Sequence, residues 1–112
     1  MAEKIAELNK TYDNSAVKLI DSQSSSQNDK TSFSKTIPKE YDLVLLDIGA
    51  AGFGVQATFP LDIVNYNRTF DNNHGLLVTI TYNKTTRALS VSKHSSSTQG
   101  GWSALNCIGI KL

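Results

Sequence analysis

From Thr31 to Leu112 the chain is a succession of short runs whose apolar residues return at every second position, broken by Gly, Asn, Asp and Pro. Period two puts alternate side chains on opposite faces of an extended strand, so this pattern commits the chain to β structure. Phe33 and Ile37 point inward from a run at 31–37. Tyr41-Asp-Leu-Val-Leu-Leu-Asp-Ile48 carries Leu43 and Leu45 on one face and Val44, Leu46 and Ile48 on the other, as a strand covered on both sides does. Phe53, Val55, Ala57 and Phe59 alternate with Gly54, Gln56, Thr58 and Pro60, and the proline marks an edge or corner. A short strand is expected at Leu61–Tyr66, and a last one at Leu105–Leu112.

Leu76–Tyr82 and Arg87–Lys93 read as a hairpin turning at Asn83-Lys-Thr-Thr86, with Ile80 opposite Leu89 and Val78 opposite Val91. A slip of one residue would set Leu89 and Val91 against Thr81 and Thr79, so the alternation rejects it. About six or seven short strands with turn residues between them predict a small antiparallel β-sandwich or jelly roll.

Size limits how much core such a fold can build. The chain has 112 residues, enough for one small domain, and Asp21–Ser32 contains no hydrophobic residue. The expected organisation is therefore a stem or oligomerisation segment at 1–22, a polar linker at 23–32 and a β-sandwich head at 33–112. A head of that size buries only roughly 60 to 65% of its unfolded surface, which favours neighbouring subunits as a source of further burial. Cys107 is the only cysteine, so no intrachain disulfide can form, and its apolar strand predicts a buried, inert thiol.

In the first segment Ile5, Leu8, Tyr12, Ser15 or Ala16, and Leu19 recur at three- and four-residue steps, the spacing of a coiled-coil seam. Ile5, Leu8, Tyr12 and Leu19 are its oligomerisation positions. A helix this short needs partners. The same residues also fit a frayed terminus in which Ala16–Ile20 forms a first strand.

A net charge of +1 with scattered Lys and Arg lacks the basic stripe of a nucleic-acid binder. No apolar run approaches the roughly 18 residues of a membrane span, and Met1–Lys10 lacks the apolar core of a signal peptide. The sequons at Asn9, Asn67 and Asn83 then read as chance in an Asn- and Thr-rich chain. Asp47-Ile-Gly-Ala-Ala-Gly-Phe-Gly54 is glycine-rich, but its spacing and the alternating run after it suit a strand connection rather than a phosphate loop. His74 and His94 are the only imidazoles and carry no catalytic or zinc-binding spacing. Asp62 and Asp71 are the least implausible carboxylate pair for a glycosidase. No catalytic residue, metal site or cofactor is expected, and the chain reads as non-enzymatic.

Two loops carry recognition chemistry. Asn65–His74 combines Tyr66, Asn67, Arg68, Asn72, Asn73 and His74, and Lys93–Trp102 ends in the only tryptophan. A sugar stacks its C–H face on Trp or Tyr and exchanges hydrogen bonds with amides and guanidinium groups, so these side chains form the candidate ligand-binding set. The same residue types also fill turns, and Trp102 could pack beneath a loop.

The Ser/Gln-rich entry, Phe33-Ser-Lys-Thr-Ile-Pro38, Tyr41-Asp-Leu-Val-Leu-Leu46, the Thr79-Ile-Thr-Tyr82/Leu89-Ser-Val-Ser92 hairpin and the terminal Ile108-Gly-Ile-Lys111 together span about eighty residues. In layout this part of the chain resembles the C-terminal tip domains of bacteriophage tail fibres and related virion fibres. The resemblance implies a homotrimer on the virion surface, made in the host cytoplasm, touching other virion proteins and binding a host-surface polysaccharide or protein through outward loops. The alternative it implies is a purely structural head-fibre or capsid decoration protein. Exposure of Trp102 or Tyr66 in a groove would favour the first, and their burial the second.

Overall fold

The computed structural model describes residues 16–50 and 52–112. Among them are eight strands and no helix: β1 (Val17–Ser24), β2 (Ser32–Thr36), β3 (Leu43–Ala50), β4 (Phe53–Pro60), β5 (Tyr66–Asp71), β6 (Leu77–Asn83), β7 (Ala88–Lys93) and β8 (Ala104–Ile110). They form two four-stranded antiparallel sheets, ordered β1-β8-β3-β4 and β2-β7-β6-β5. The first two strands lie against the last two, one such pair in each sheet, and a hairpin completes each sheet.

The alternation read from sequence builds the core. Val44, Leu46, Ile48, Val55, Phe59, Leu105 and Cys107 of one sheet and Phe33, Val78, Ile80, Leu89 and Val91 of the other are buried in a single cluster. Ile37, Tyr41, Leu61, Leu76 and Trp102 seal it from the connections. The fold is thus all-β and sandwich-like. Gly109 has a specific part in it: a Cβ there would lie 2.5 Å from Cδ1 of Tyr41, so only glycine lets that ring cover β8.

The β unit begins earlier than residue 33. Residues 17–24 pair with β8 as an edge strand, which meets the alternative of a first strand at Ala16–Ile20 and extends it into residues otherwise assigned to a stem and linker. Their polarity does not prevent this, because the ladder needs backbone groups, and an edge strand buries little of its side chains. Leu19 therefore lies on a strand and is 57% exposed. Ile5, Leu8 and Tyr12 lie outside the described residues. The register shifts between Leu19 and Asp21, and Ile20 at that bulge packs against the core. Across the edge, Asp21 pairs with Lys35 of β2 at 3.7 Å, an exposed contact of small energetic weight.

Two further expectations are corrected, and that of a strand connection in the glycine-rich run is met. The strand placed at Leu61–Tyr66 falls instead at Tyr66–Asp71, so most of the supposed Asn65–His74 loop is strand. Arg68 hid the alternation by occupying an inward-parity position at the sheet edge, where its guanidinium lies 5.1 Å from the Phe70 ring. The glycine-rich run is a tight hairpin in which Gly49 pairs with Gly54 and Gly52 takes a φ of 81°. In the β6-β7 hairpin the register is two residues off: Ile80 faces Val91, Tyr82 faces Leu89 and Asn83 faces Ala88.

That last shift has a local cause. The Asn83 side chain accepts from the Thr85 and Thr86 amides, and the Arg87 amide donates to the Asn83 carbonyl at 2.7 Å. The turn thus takes in Arg87, whose φ is 60°. Two residues is the period of the pleat, so both registers keep the same faces inward and alternation cannot separate them.

Candidate functional site

Three of the seven expected recognition residues, Trp102, Tyr66 and Asn72, are taken up by the fold. Trp102 is fully buried. Its backbone bridges Lys30 in both directions, at 2.8 and 2.9 Å, and its Nε1–H donates to Oε1 of Gln23 at 3.0 Å. No ring face is left for a sugar, which corrects its assignment as a ligand-binding residue. The close approach of the two backbones is possible because Gly101 has no Cβ to strike the Lys30 carbonyl. Tyr66 is half-buried, stacked on Phe59 at 4.1 Å and packed against the core, so it too faces inward.

Asn72 is buried and serves the loop itself. Its Oδ1 accepts from the amides of His74 (2.8 Å) and Leu76 (3.0 Å), and its Nδ2 donates to the Phe53 carbonyl at 3.3 Å. Asn73 supplies a φ of 64°, its amide bound to Asp71 Oδ1. His74 stacks on Phe53 at 3.4 Å between ring centroids. The two loops do come together, because the amides of Thr98 and Gln99 both donate to the Gly75 carbonyl. Of the candidate set only Asn67, Arg68, Asn73 and His74 remain on the surface. Asp62 is engaged by Arg87 and Asp71 by Asn73, and among the described residues no three His, Cys, Asp or Glu side chains gather as a metal site. No helix among those residues is long and apolar enough to cross a membrane.

The surface contrast lies instead in the outer faces of the two sheets, because residues paired across antiparallel strands share a face. On the β1-β8-β3-β4 sheet one outer row runs Val17, Ile110, Leu43, Pro60 and the next Leu19, Ile108, Leu45, Thr58. A third row is Ser22, Asn106, Asp47 and Gln56, and a fourth Ser24, Ala104, Gly49 and Gly54. Asp47 is the one ionisable group in these four rows of four. On the β2-β7-β6-β5 sheet the two central outer rows are Ser32, Ser92, Thr79, Thr69 and Ser34, Ser90, Thr81, Asn67, flanked by Leu77 and Asp71 at one end and by Thr36, Ala88 and Asn83 at the other. Seven of the eight side chains in the two central rows are hydroxyls, and Thr69 and Thr79 share a hydrogen bond of 2.9 Å.

Sequence reasoning found the alternation but did not set strands β1, β8 and β3 side by side, so the apolar rows were not visible as a surface. Leu43 and Leu45 gave half the signal, as the second apolar face of their strand. The expectation that this strand is covered on both sides is met on one side by the core. On the other, both leucines are only partly buried.

Cys107 lies under the apolar face with its thiol pushed up to about 12, chiefly by burial and further by the nearby Asp21 carboxylate. It should therefore resist a disulfide reagent at about pH 8 until the chain unfolds. The shift also sets a pH dependence. Below the ordinary value of 9.0 the thiol is protonated whether folded or not, and between 9.0 and about 12 only the unfolded chain ionises. Stability should therefore fall as pH rises from 9.0, a trend that denaturant titrations of wild type and Cys107→Ala would isolate.

Compared with known proteins, the chain matches no family model, no curated protein and no solved structure.

Proposed function

We propose that the chain is a non-catalytic structural module on the surface of a phage particle, of the head-fibre or decoration kind, rather than a receptor binder acting through its loops. The observation that carries this reading is the contrast between its two outer sheet faces, one carrying two adjacent apolar rows and the other two central rows of hydroxyls. A module built into a coat needs one face that neighbours can cover without desolvating charge and another that stays in water. The layout resemblance to virion fibre tips supplies the setting. The inward aromatics weigh against glycan capture, since Trp102 and Tyr66 are the rings a pyranose would have used.

Antibody raised against the chain should track with intact particles from the source culture through a density gradient. Purified protein should meanwhile leave a glycan array unlabelled. Absence of the chain from particles would defeat the coat reading. A saccharide whose binding is lost on Asn67→Ala with Arg68→Ala would restore the receptor reading.

A further inference from the structure

We infer that the outer face of the β1-β8-β3-β4 sheet is a homotypic interface, covered by the same face of a second copy of this chain. The inference deepens the structural reading by naming a partner for that face.

Exposure and composition point the same way. Leu19 is 57% exposed, and Leu43, Leu45, Ile108 and Ile110 are only partly covered by their neighbours in the sheet. They form a contiguous block across β1, β8 and β3, which single surface leucines do not. The residues come from both ends of the chain and its middle, so the block exists only once the sheet has formed.

Charge selects the occupant. A partner chosen by electrostatic complementarity would require a charged surface here, and Asp47 alone interrupts sixteen positions, in the third row, one same-face step along β3 from Leu45. A face with a neutral apolar half is complementary to itself, because a two-fold axis parallel to the strands, between β8 and β3, sets each of the first two rows against itself and places Asp47 opposite Asn106 in the polar third row. Such depletion of charge at the centre of a patch characterises homodimer interfaces.

Area is sufficient. With strands about 4.8 Å apart and like-facing residues about 6.7 Å apart along each, four rows on four strands cover about 19 by 27 Å, or roughly 500 Å². Two such faces bury about 1,000 Å², the lower bound for a specific association. Sheets pack face to face at about 10 Å, a spacing that Leu and Ile side chains fill.

The hydroxyl face provides the internal control. Sedimentation or light scattering on the purified full chain at about 100 μM, above the micromolar Kd that an interface of this size supports, should give a mass of at least two copies. Leu19→Lys should convert it to a monomer, and Ser34→Lys on the opposite sheet should not. Because Leu19 is exposed on an edge strand, the Leu19→Lys monomer should melt within about 2 °C of dilute wild type. Three results would overturn the inference. One is a wild-type monomer whose melting point Leu19→Lys lowers by many degrees, which would assign the face to another part of the same chain. Another is a monomer indifferent to Leu19→Lys, which would assign it to a different protein. The third is an oligomer that Leu19→Lys leaves intact, which would place the contact elsewhere. All three are read on isolated protein, so they are separable from the particle test.

Discussion

Arg87→Ala is expected to lower the free energy of unfolding by about 3–5 kcal/mol, a fall of roughly 15–30 °C in melting temperature for a domain of this size. The side chain is 7% exposed. Its Nε–H donates to the Ile37 carbonyl at 3.0 Å, its Nη2 to the Pro38 and Tyr41 carbonyls at 2.8 Å each, and its Nη1 to Asp62 at 2.6 Å. One planar cation thereby ties the β6-β7 turn to the crossover leading into β3 and to the loop after β4. Removing it strands the Ile37 and Tyr41 carbonyls and leaves the Pro38 carbonyl only the Tyr41 amide at 3.3 Å, each lost bond from the cation costing about 1–1.5 kcal/mol. The carboxylate is not the main term. Asp62 has a side chain 62% exposed, so water takes up its charge, and Asp62→Ala should cost under about 1 kcal/mol.

A companion substitution separates backbone from side chain. With φ at 60°, alanine at this position is strained by about 1 kcal/mol and glycine is not, so Arg87→Gly should be the more stable of the two. Arg87→Lys keeps the charge but not the planar fork, and should recover little. Urea titrations of the three variants would show this order. Equal stability of Arg87→Lys and wild type would mean that the charge, rather than its fixed donors, holds these segments together.

Arg87 also marks the limit of what the sequence discloses here. Alternation correctly identified which side chains of Leu76–Tyr82 and Arg87–Lys93 face inward, since that depends only on parity along each strand. It did not identify which residues lie opposite one another, because a two-residue shift preserves parity. The turn is set by the local hydrogen bonds of Asn83 with the Thr85, Thr86 and Arg87 amides, and the Arg87 side chain then ties it to residues about fifty positions away. No local pattern reports such a contact. Similarly, the polar stretch from Asp21 reads as linker when judged by side chains, and becomes a strand because β8 offers it a backbone ladder. The apolar outer face follows from that same pairing. Its leucines and isoleucines are visible in the sequence, yet they form a surface only through the topology.

Trp102, Tyr66 and Asn72 are drawn into the fold for a related reason. Asn, His, Tyr and Trp suit sugars and suit turns, and composition cannot say which use prevails. Here Asn72 spends its amide on the amides of His74 and Leu76 and on the Phe53 carbonyl, and Trp102 turns into the core between the sheet ends.

Trp102 yields the second large effect, and one that distinguishes scaffold from ligand platform. Trp102→Ala should destabilise the protein by about 3–5 kcal/mol, the range for emptying a large aromatic site in a packed core. Trp102→Phe keeps most of the apolar volume but leaves Gln23 Oε1 without its indole donor. Since that acceptor lies near an edge strand that water can reach, the hydrogen bond itself should account for only about 1 kcal/mol, the rest being lost packing. As the only tryptophan, it reports on its own surroundings. Native emission should be blue-shifted, shielded from iodide and unmoved by any saccharide, turning red and quenchable in one step with unfolding. Emission that iodide quenches in the native state, or that a sugar shifts at constant stability, would show the indole available to ligand and return Trp102 to a binding role. If instead quenching appears only along the unfolding transition, the ring's contribution is confined to joining the Lys30 bridge to the core, which fixes the polar N-terminal residues onto the sandwich.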